Sequence, residues 1–330
     1  MDLRTTFEIP HYEPGITYND PVMFIGSCFS ANIGKQFGKG HMPVMINPAG
    51  TVYNPVSVSN TIDLISGPGK FRVDDLYNFN GLWISFSHYT DFSSPDPDKV
   101  IEKINFRSAE ASEFLEKAAY LFITFGTARV YRWKKTGQIV SNCHKIPQAE
   151  FTHELLDPTD ITDTWNDLLD RLKRKYPGLK VIFTISPVRH WKDGAHGNQV
   201  SKSVLFLAVE KLLEHPSRPG YFPAYELMMD DLRDYRFYDN DMLHPSASAT
   251  EYIWEAFSRS FFSSDTIELW REVSSVTKAF NHMIRNASGN EMQKFAAGSL
   301  KRIEALKARY PFLDLETERR YFLDLLKQGY

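Results

Sequence analysis

Apolar positions along the chain gather into short unbroken runs, each closed by glycine, proline or a small polar residue. Such runs stand at 21–27 (PVMFIGS), 42–46 (MPVMI), 119–126 (AYLFITFG) and 180–187 (KVIFTISP). Their length and lack of alternation predict strands buried on both faces, as in a parallel sheet. Between them the spacing changes. Phe29, Ile33 and Phe37 recur every fourth position, one face of a helix, and Gly38 and Gly40 end it. Helices are likewise predicted over about 98–118, 160–175 and 199–214, the last preceding the apolar run 221–229 (YFPAYELMM). A final core helix begins at Ser246, just after Pro245.

Residues 55–95 break this rhythm. Ile84, Phe86 and the aromatics Trp83 and Tyr89 suggest a hairpin insertion laid over the core. Lys134–Gly137, between VYRW and QIVSNC, signals a second hairpin with glycine at its turn. Strands separated by helices imply an α/β fold, a three-layer α/β/α sandwich with a mainly parallel sheet. Such sheets bind ligands beyond the carboxyl ends of their strands, which singles out 26–30, 47–54, 126–129 and 186–198. After 264 the strand pattern stops. Residues 265–330, with helical stretches Glu291–Ala308 and Glu316–Lys327, are expected to form a helical appendage on a 1–264 domain.

Composition narrows the function. Lys plus Arg total 38 and Asp plus Glu 41, a net charge of −3, without the basic excess of a nucleic-acid binder. No apolar run approaches the ~18 residues of a membrane span. The opening MDLRTTFEIP lacks the apolar core of a signal peptide, so a cytoplasmic protein is expected. Cys28 and Cys143 are the only cysteines, too few for a disulfide scaffold in a chain of 330 residues. C-x-x-C, H-x-H and H-E-x-x-H spacings are missing, as are both glycine-rich phosphate-binding signatures, so neither metal nor nucleotide cofactor is expected.

Two motifs carry chemistry. Phe24-Ile25-Gly26-Ser27-Cys28-Phe29-Ser30 turns an apolar strand through glycine into a helix. The turn sets a hydroxyl and a thiol at a helix N-terminus, where free N–H groups and the dipole favour a thiolate or an oxyanion. Small residues closing a tight turn explain the same pattern. In Asp241-Met242-Leu243-His244-Pro245-Ser246, the carboxylate three residues before the imidazole can fix its tautomer and stabilise the imidazolium. Alone, that motif reads rather as a capping Asp beside an exposed His.

A nucleophile after the first strand and D-x-x-H before the last core helix together resemble the SGNH, or GDSL-like, hydrolase superfamily, and specifically its GSCFA-domain family. The likeness spans about 20–260 and includes NPAGTVYNP (47–55), FGTA (125–128), NCHKIP (142–147), SPVRH (186–190) and LRDYRFY (232–238). The superfamily's G-D-S-x-S motif, laid without a gap on Gly26-Ser27-Cys28-Phe29-Ser30, puts the nucleophile on Cys28. A one-residue slip puts it on Ser27 but loses both the glycine and the final serine. The resemblance implies an esterase or acyl hydrolase acting on a small acyl ester, with acylated carbohydrate as a substrate class. Cys28 (or Ser27) would attack the carbonyl, His244 would take the proton and Asp241 would orient His244. The oxyanion would meet the backbone at 28 and at Gly50, together with a group after the third strand.

There the family of hydrolases carries G-x-N-D, and this chain reads Gly126-Thr127-Ala128-Arg129. Thr127, or Asn142 reaching back from the hairpin, is the expected replacement donor. Arg189 is a candidate for holding a substrate carboxylate or hydroxyl, and His190 beside it reads as an ordinary loop residue. Asp193, Gly194, Gly197 and Asn198 suggest a flexible lid. Trp83, His88 and Tyr89 are expected either as a wall for a sugar ring or as plain core. An acyltransferase on the same site, or a non-catalytic carbohydrate- or metabolite-binding protein on a hydrolase frame, stands as the alternative.

Overall fold

The computed structural model describes residues 4–67, 69–281 and 289–327. Strands β1 (Val22–Gly26), β2 (Val44–Ile46), β5 (Tyr120–Phe125), β9 (Lys180–Ile185) and β10 (Gly220–Tyr221) form one sheet in the order β10-β9-β5-β1-β2. Every pairing in it is parallel, and the central one sets Val22 opposite Tyr120 and Gly26 opposite Thr124. Successive side chains of a strand point to opposite faces, and the two faces bury separate cores. Val22, Phe24, Tyr120, Phe122 and Ile182 enter one cluster. Met23, Ile25, Leu121, Ile123, Phe125, Val181 and Phe183 enter the other.

Helices cover both faces. Helix α1 (Cys28–Lys39) buries Phe29, Ile33 and Phe37 on the first face beside α7 (Ala247–Phe261). Helices α2 (Pro55–Ser66), α3 (Pro97–Lys117), α4 (Pro158–Lys175) and α5 (Gly194–Leu213) close the second. The appendage is α8 (Ser264–Asn281), α9 (Gly289–Arg309) and α10 (Glu316–Lys327). Its buried Val273, Ile303, Leu306 and Phe322 extend the first core. Trp270 Nε1 donates to Gln36 O at 2.8 Å, Thr277 Oγ1 donates to Lys39 O at 2.9 Å, and His41 pairs with Glu318 at 2.9 Å. The appendage therefore grips the last turn of the helix whose first residue is Cys28. Tail positions 282–288 and 328–330 lie outside the described residues.

Three expectations need correction. The 55–95 segment is not a hairpin throughout: it opens with α2, started by Asn54 accepting from Ser57 N at 2.8 Å and by Pro55 at the first helical position. The hairpin itself is short, β3 (Tyr77–Phe79) against β4 (Leu82–Ile84). The run 221–229 contributes only Tyr221 to a strand, because Pro223 has no N–H for the ladder. A one-turn helix α6 (Ala224–Glu226) and a wide turn over Leu227–Asp231 follow. The proposed lid is mostly the first turn of α5, which starts at Gly194. The second hairpin, β6 (Arg129–Trp133) and β7 (Ile139–Val140), gains a third strand, β8 (Phe151–Leu155).

Gly26 is a point of close approach between β1 and β5. It adopts φ +145, and a Cβ there would stand 2.2 Å from Thr124 O, a backbone atom of the neighbouring strand. Gly26→Ala should therefore destabilise the protein by ~2 kcal/mol or more, read as a fall in the urea midpoint at unchanged slope.

Candidate active site

The carboxyl ends of β1, β5 and β9 meet where the strand order reverses, the usual place for ligands in open α/β sheets. At the end of β1, Ser27 caps α1 and Cys28 is its first residue. Ser27 is 1% exposed and its hydroxyl has no partner, so it faces the interior. Cys28 is half-buried, and its thiol lies against its own N–H and that of Phe29. Burial pushes the thiol above its ordinary value; these N–H groups and the charge of Lys202 pull it down, while Asp241 pushes it up. Burial wins, so Cys28 rests as a neutral thiol.

An imidazole with a carboxylate partner stands on the loop before α7. The Asp241 carboxylate accepts from Leu243 N and His244 N, each at 2.9 Å, and meets His244 Nδ1 at 2.5 Å. The backbone N–H of His244, its ring and the N–H of Leu243 hold the Asp241 carboxyl down at about 2. The carboxylate is thus ionised across the physiological range, and it favours the tautomer with the proton on Nδ1, leaving Nε2 free to accept another. Asp239 N donates to His244 O and Ser246 N to Phe237 O, each at 2.8 Å, pinning both ends of the loop. The structure records no hydrogen bond between Cys28 Sγ and the His244 ring. Catalytic hydrogen bonds from exposed loops commonly tighten only in the substrate complex.

His190, read from the sequence as an ordinary loop residue, also belongs to this cluster. Its ring packs edge-on against Tyr53 at 5.4 Å, and its Nε2 lies 3.0 Å from where a Cβ on Gly126 would stand. Burial, then the charges of Lys202 and His244, lower its pKa to about 4. At neutral pH His190 is an uncharged, weak base. The two imidazoles are thereby told apart: His244 has a carboxylate partner, and His190 has none.

Lys202 was not anticipated at all. It is 1% exposed, and its Nζ donates to Gly126 O at 2.7 Å and Ser186 O at 2.6 Å, across the ends of β5 and β9. Burial brings its pKa down to about 7. A sequence signal existed: Asn198, Lys202, Leu205, Val209 and Leu212 share the buried stripe of α5, so a lysine occupies an apolar position.

The expected oxyanion donors fare differently. The Gly50 N–H is spent on Asn47 O at 2.8 Å, and its left-handed φ of +88 lets Tyr89 pack where a Cβ would be 2.2 Å away. Gly126 N and Thr127 N both donate to Tyr53 O, at 2.7 and 3.1 Å. The Thr127 hydroxyl pairs with Ser201 at 2.9 Å and accepts from Arg129 N at 3.0 Å. Asn142 does not reach back to the site. It caps its own turn through His144 N at 2.9 Å and holds Thr90 at 3.1 Å. What the structure offers instead are the first N–H groups of α1 and Asn47. The Asn47 Oδ1 accepts from Gly26 N at 2.8 Å, and its buried Nδ2 has no partner.

Of the proposed aromatic wall, Trp83 packs with Phe92 and Val100, and His88 is buried against Ser85 and Phe71. Tyr89 alone stands at the site. Arg189 points its guanidinium toward Trp191, Tyr225 and Tyr238. Among the described residues, no group of three or more His, Cys, Asp and Glu is placed to hold a metal ion, and no helix is long and apolar enough to cross a membrane.

The profile of the GSCFA family matches residues 21–257, a stretch that holds every residue of this cluster. The chain belongs to the GSCFA family. A second profile, the C-terminal domain of GSCFA domain proteins, matches 273–328, the helices that grip α1. Comparison with curated proteins finds no match. Within this GSCFA chain the cluster joins Cys28, Asp241, His244, His190 and Lys202 and leaves Asn142 outside it.

With Cys143→Ser as background, the alkylation rate of Cys28 by iodoacetamide should keep rising beyond the ordinary thiol range. Asp241→Asn removes a negative charge from beside the thiol and should move the inflection to lower pH; an unmoved inflection would place the carboxylate away from Cys28.

Proposed function

We propose that this GSCFA protein is an acyl hydrolase or acyltransferase of SGNH type, acting on a small acyl ester through a thioester on Cys28. The observation that carries this is a half-buried thiol at a helix N-terminus that feels the charge of Asp241, the carboxylate that orients the His244 imidazole. Cys28 Sγ attacks the acyl carbonyl as His244 Nε2 takes the thiol proton. Asp241 stabilises the imidazolium that forms. The tetrahedral oxyanion draws on the N–H groups of Cys28 and Phe29. As the C–O bond breaks, His244 returns the proton to the departing alkoxide. Water or a second alcohol, deprotonated by the same imidazole, then releases the thioester.

Ser27 is a poor rival for the attacking atom, since it is buried and points inward. Acylated carbohydrate fits the exposed Tyr89, Trp191 and Tyr235, which are 38%, 50% and 77% exposed and available to stack on a sugar ring. A non-catalytic binding role draws on one observation, the missing hydrogen bond between Cys28 and His244.

Hydrolysis of p-nitrophenyl acetate separates these readings. Cys28→Ala should fall to the uncatalysed background, and His244→Ala should lose ~10²–10⁴-fold in kcat/KM. Ser27→Ala, which removes an unpartnered hydroxyl, should keep most of the activity. Activity lost in Ser27→Ala and kept in Cys28→Ala would move the nucleophile to the serine.

A further inference from the structure

Arg189 and Lys202 stand beside the reacting groups without a counter-ion. Among the described residues neither forms an ion pair with any carboxylate. The nearby acids are engaged elsewhere. Asp241 is held by His244, Asp193 faces Arg129 at 3.7 Å and His153 at 3.6 Å, Glu226 accepts from Tyr221 at 2.8 Å, and Asp230 lies 3.5 Å from Arg233. Lys202 is sealed in and spends its donors on two carbonyls. Arg189 is only half-buried, and its guanidinium lies 5.9 Å from the Trp191 ring, near the hydroxyls of Tyr225 and Tyr238. Its Nε is fully shielded and has no hydrogen-bond partner.

Buried cations are normally paired, because an uncompensated charge away from water is costly. Here the buried Lys202 has no carboxylate partner, and the half-buried Arg189 repels it, its charge helping to depress Lys202. The Cys28 thiol at rest is neutral and does not compensate them. An anion arriving between Trp191 and the Tyr238 loop would relieve that repulsion and give the Arg189 fork the planar, two-pronged partner it suits.

We infer that the ligand of this site carries an anionic group, a carboxylate or a phosphate, seated against Arg189 with Tyr225 and Tyr238 at its sides and Lys202 behind. The inference deepens the acyl-transfer reading by giving its substrate a charge. Its position follows from the side chains: Arg189 adjoins His190 at the end of β9, and Tyr238 lies on the loop that carries Asp241 and His244. The reacting ester and the anion would thus belong to one molecule, the carbonyl over Cys28 and the charged end toward Arg189.

The test is isothermal titration of the full chain at constant ionic strength, with inorganic phosphate and, separately, with acetate. One saturable site per chain is expected for at least one of the two, and the better binder distinguishes phosphate from carboxylate. Arg189→Gln should raise its dissociation constant about tenfold or more. Arg189→Lys keeps the charge without the fork, and should fall between the two; it also serves if the glutamine variant does not fold. No saturable binding of either anion to the wild type, or equal affinity in wild type and variants, overturns the inference. The titration requires no turnover. Anion binding without esterase activity would count against the acyl-transfer reading alone, and esterase activity without anion binding would count against this inference alone.

Discussion

The site hangs on one buried ammonium. Lys202, reaching up from α5, ties the carbonyl of Gly126 at the end of β5 to that of Ser186 at the end of β9. Those two strand ends carry what surrounds the thiol: Gly126 supports the His190 ring, and Ser186 leads into Arg189 and His190. Burying an amine costs its charged form, and the depressed pKa of about 7 shows that cost at Lys202. The same charge favours a thiolate at Cys28 against the burial that keeps the thiol neutral. In the proposed acyl transfer a cation would thus be fixed where negative charge develops, with no reorganisation required at that moment.

The other fixed point is the turn that presents the thiol. Gly26 brings β1 against Thr124 more closely than any side chain allows, and α1 leaves that turn with Cys28 first. Trp270 and Thr277 of the appendage hold the far end of α1 through its last carbonyls. The C-terminal helices are therefore bonded to the far end of the helix that carries Cys28. This connects the two matched family regions mechanically, through one helix.

The fold was legible because it rests on periodicity. The parallel strands stood out as unbroken apolar runs, and α1 through the recurrence of Phe29, Ile33 and Phe37. Helix α2 was missed because Val58, Ile62 and Ile65 alternate with Ser57, Ser59 and Thr61, which are themselves buried. With polar residues on the inner face, the apolar stripe fades, and the Asn54-Pro55 start was the better signal. The Pro223 break likewise hides inside an apolar run. Strand β8 was missed because only Phe151 of its residues is buried, so it shows little pattern.

The candidate site was legible where neighbours in sequence are neighbours in space. Gly26-Ser27-Cys28 and Asp241–His244 are local constellations, and each could be read whole. Lys202 and His190 act through contacts tens of residues away, with Gly126 and Tyr53, and only the folded sheet brings those together. Thr127 and Asn142 suited a donor's role by type, but their hydrogen bonds are committed to Ser201 and to His144. The central claim, a thioester on Cys28 formed with His244 as base, is tested most directly by intact-mass and peptide mass spectrometry after rapid quenching with an activated acetyl ester. A single acetyl group is expected on the peptide containing Cys28, formed far more slowly in His244→Ala. An acetyl group on Ser27, or none in the wild type, would contradict it.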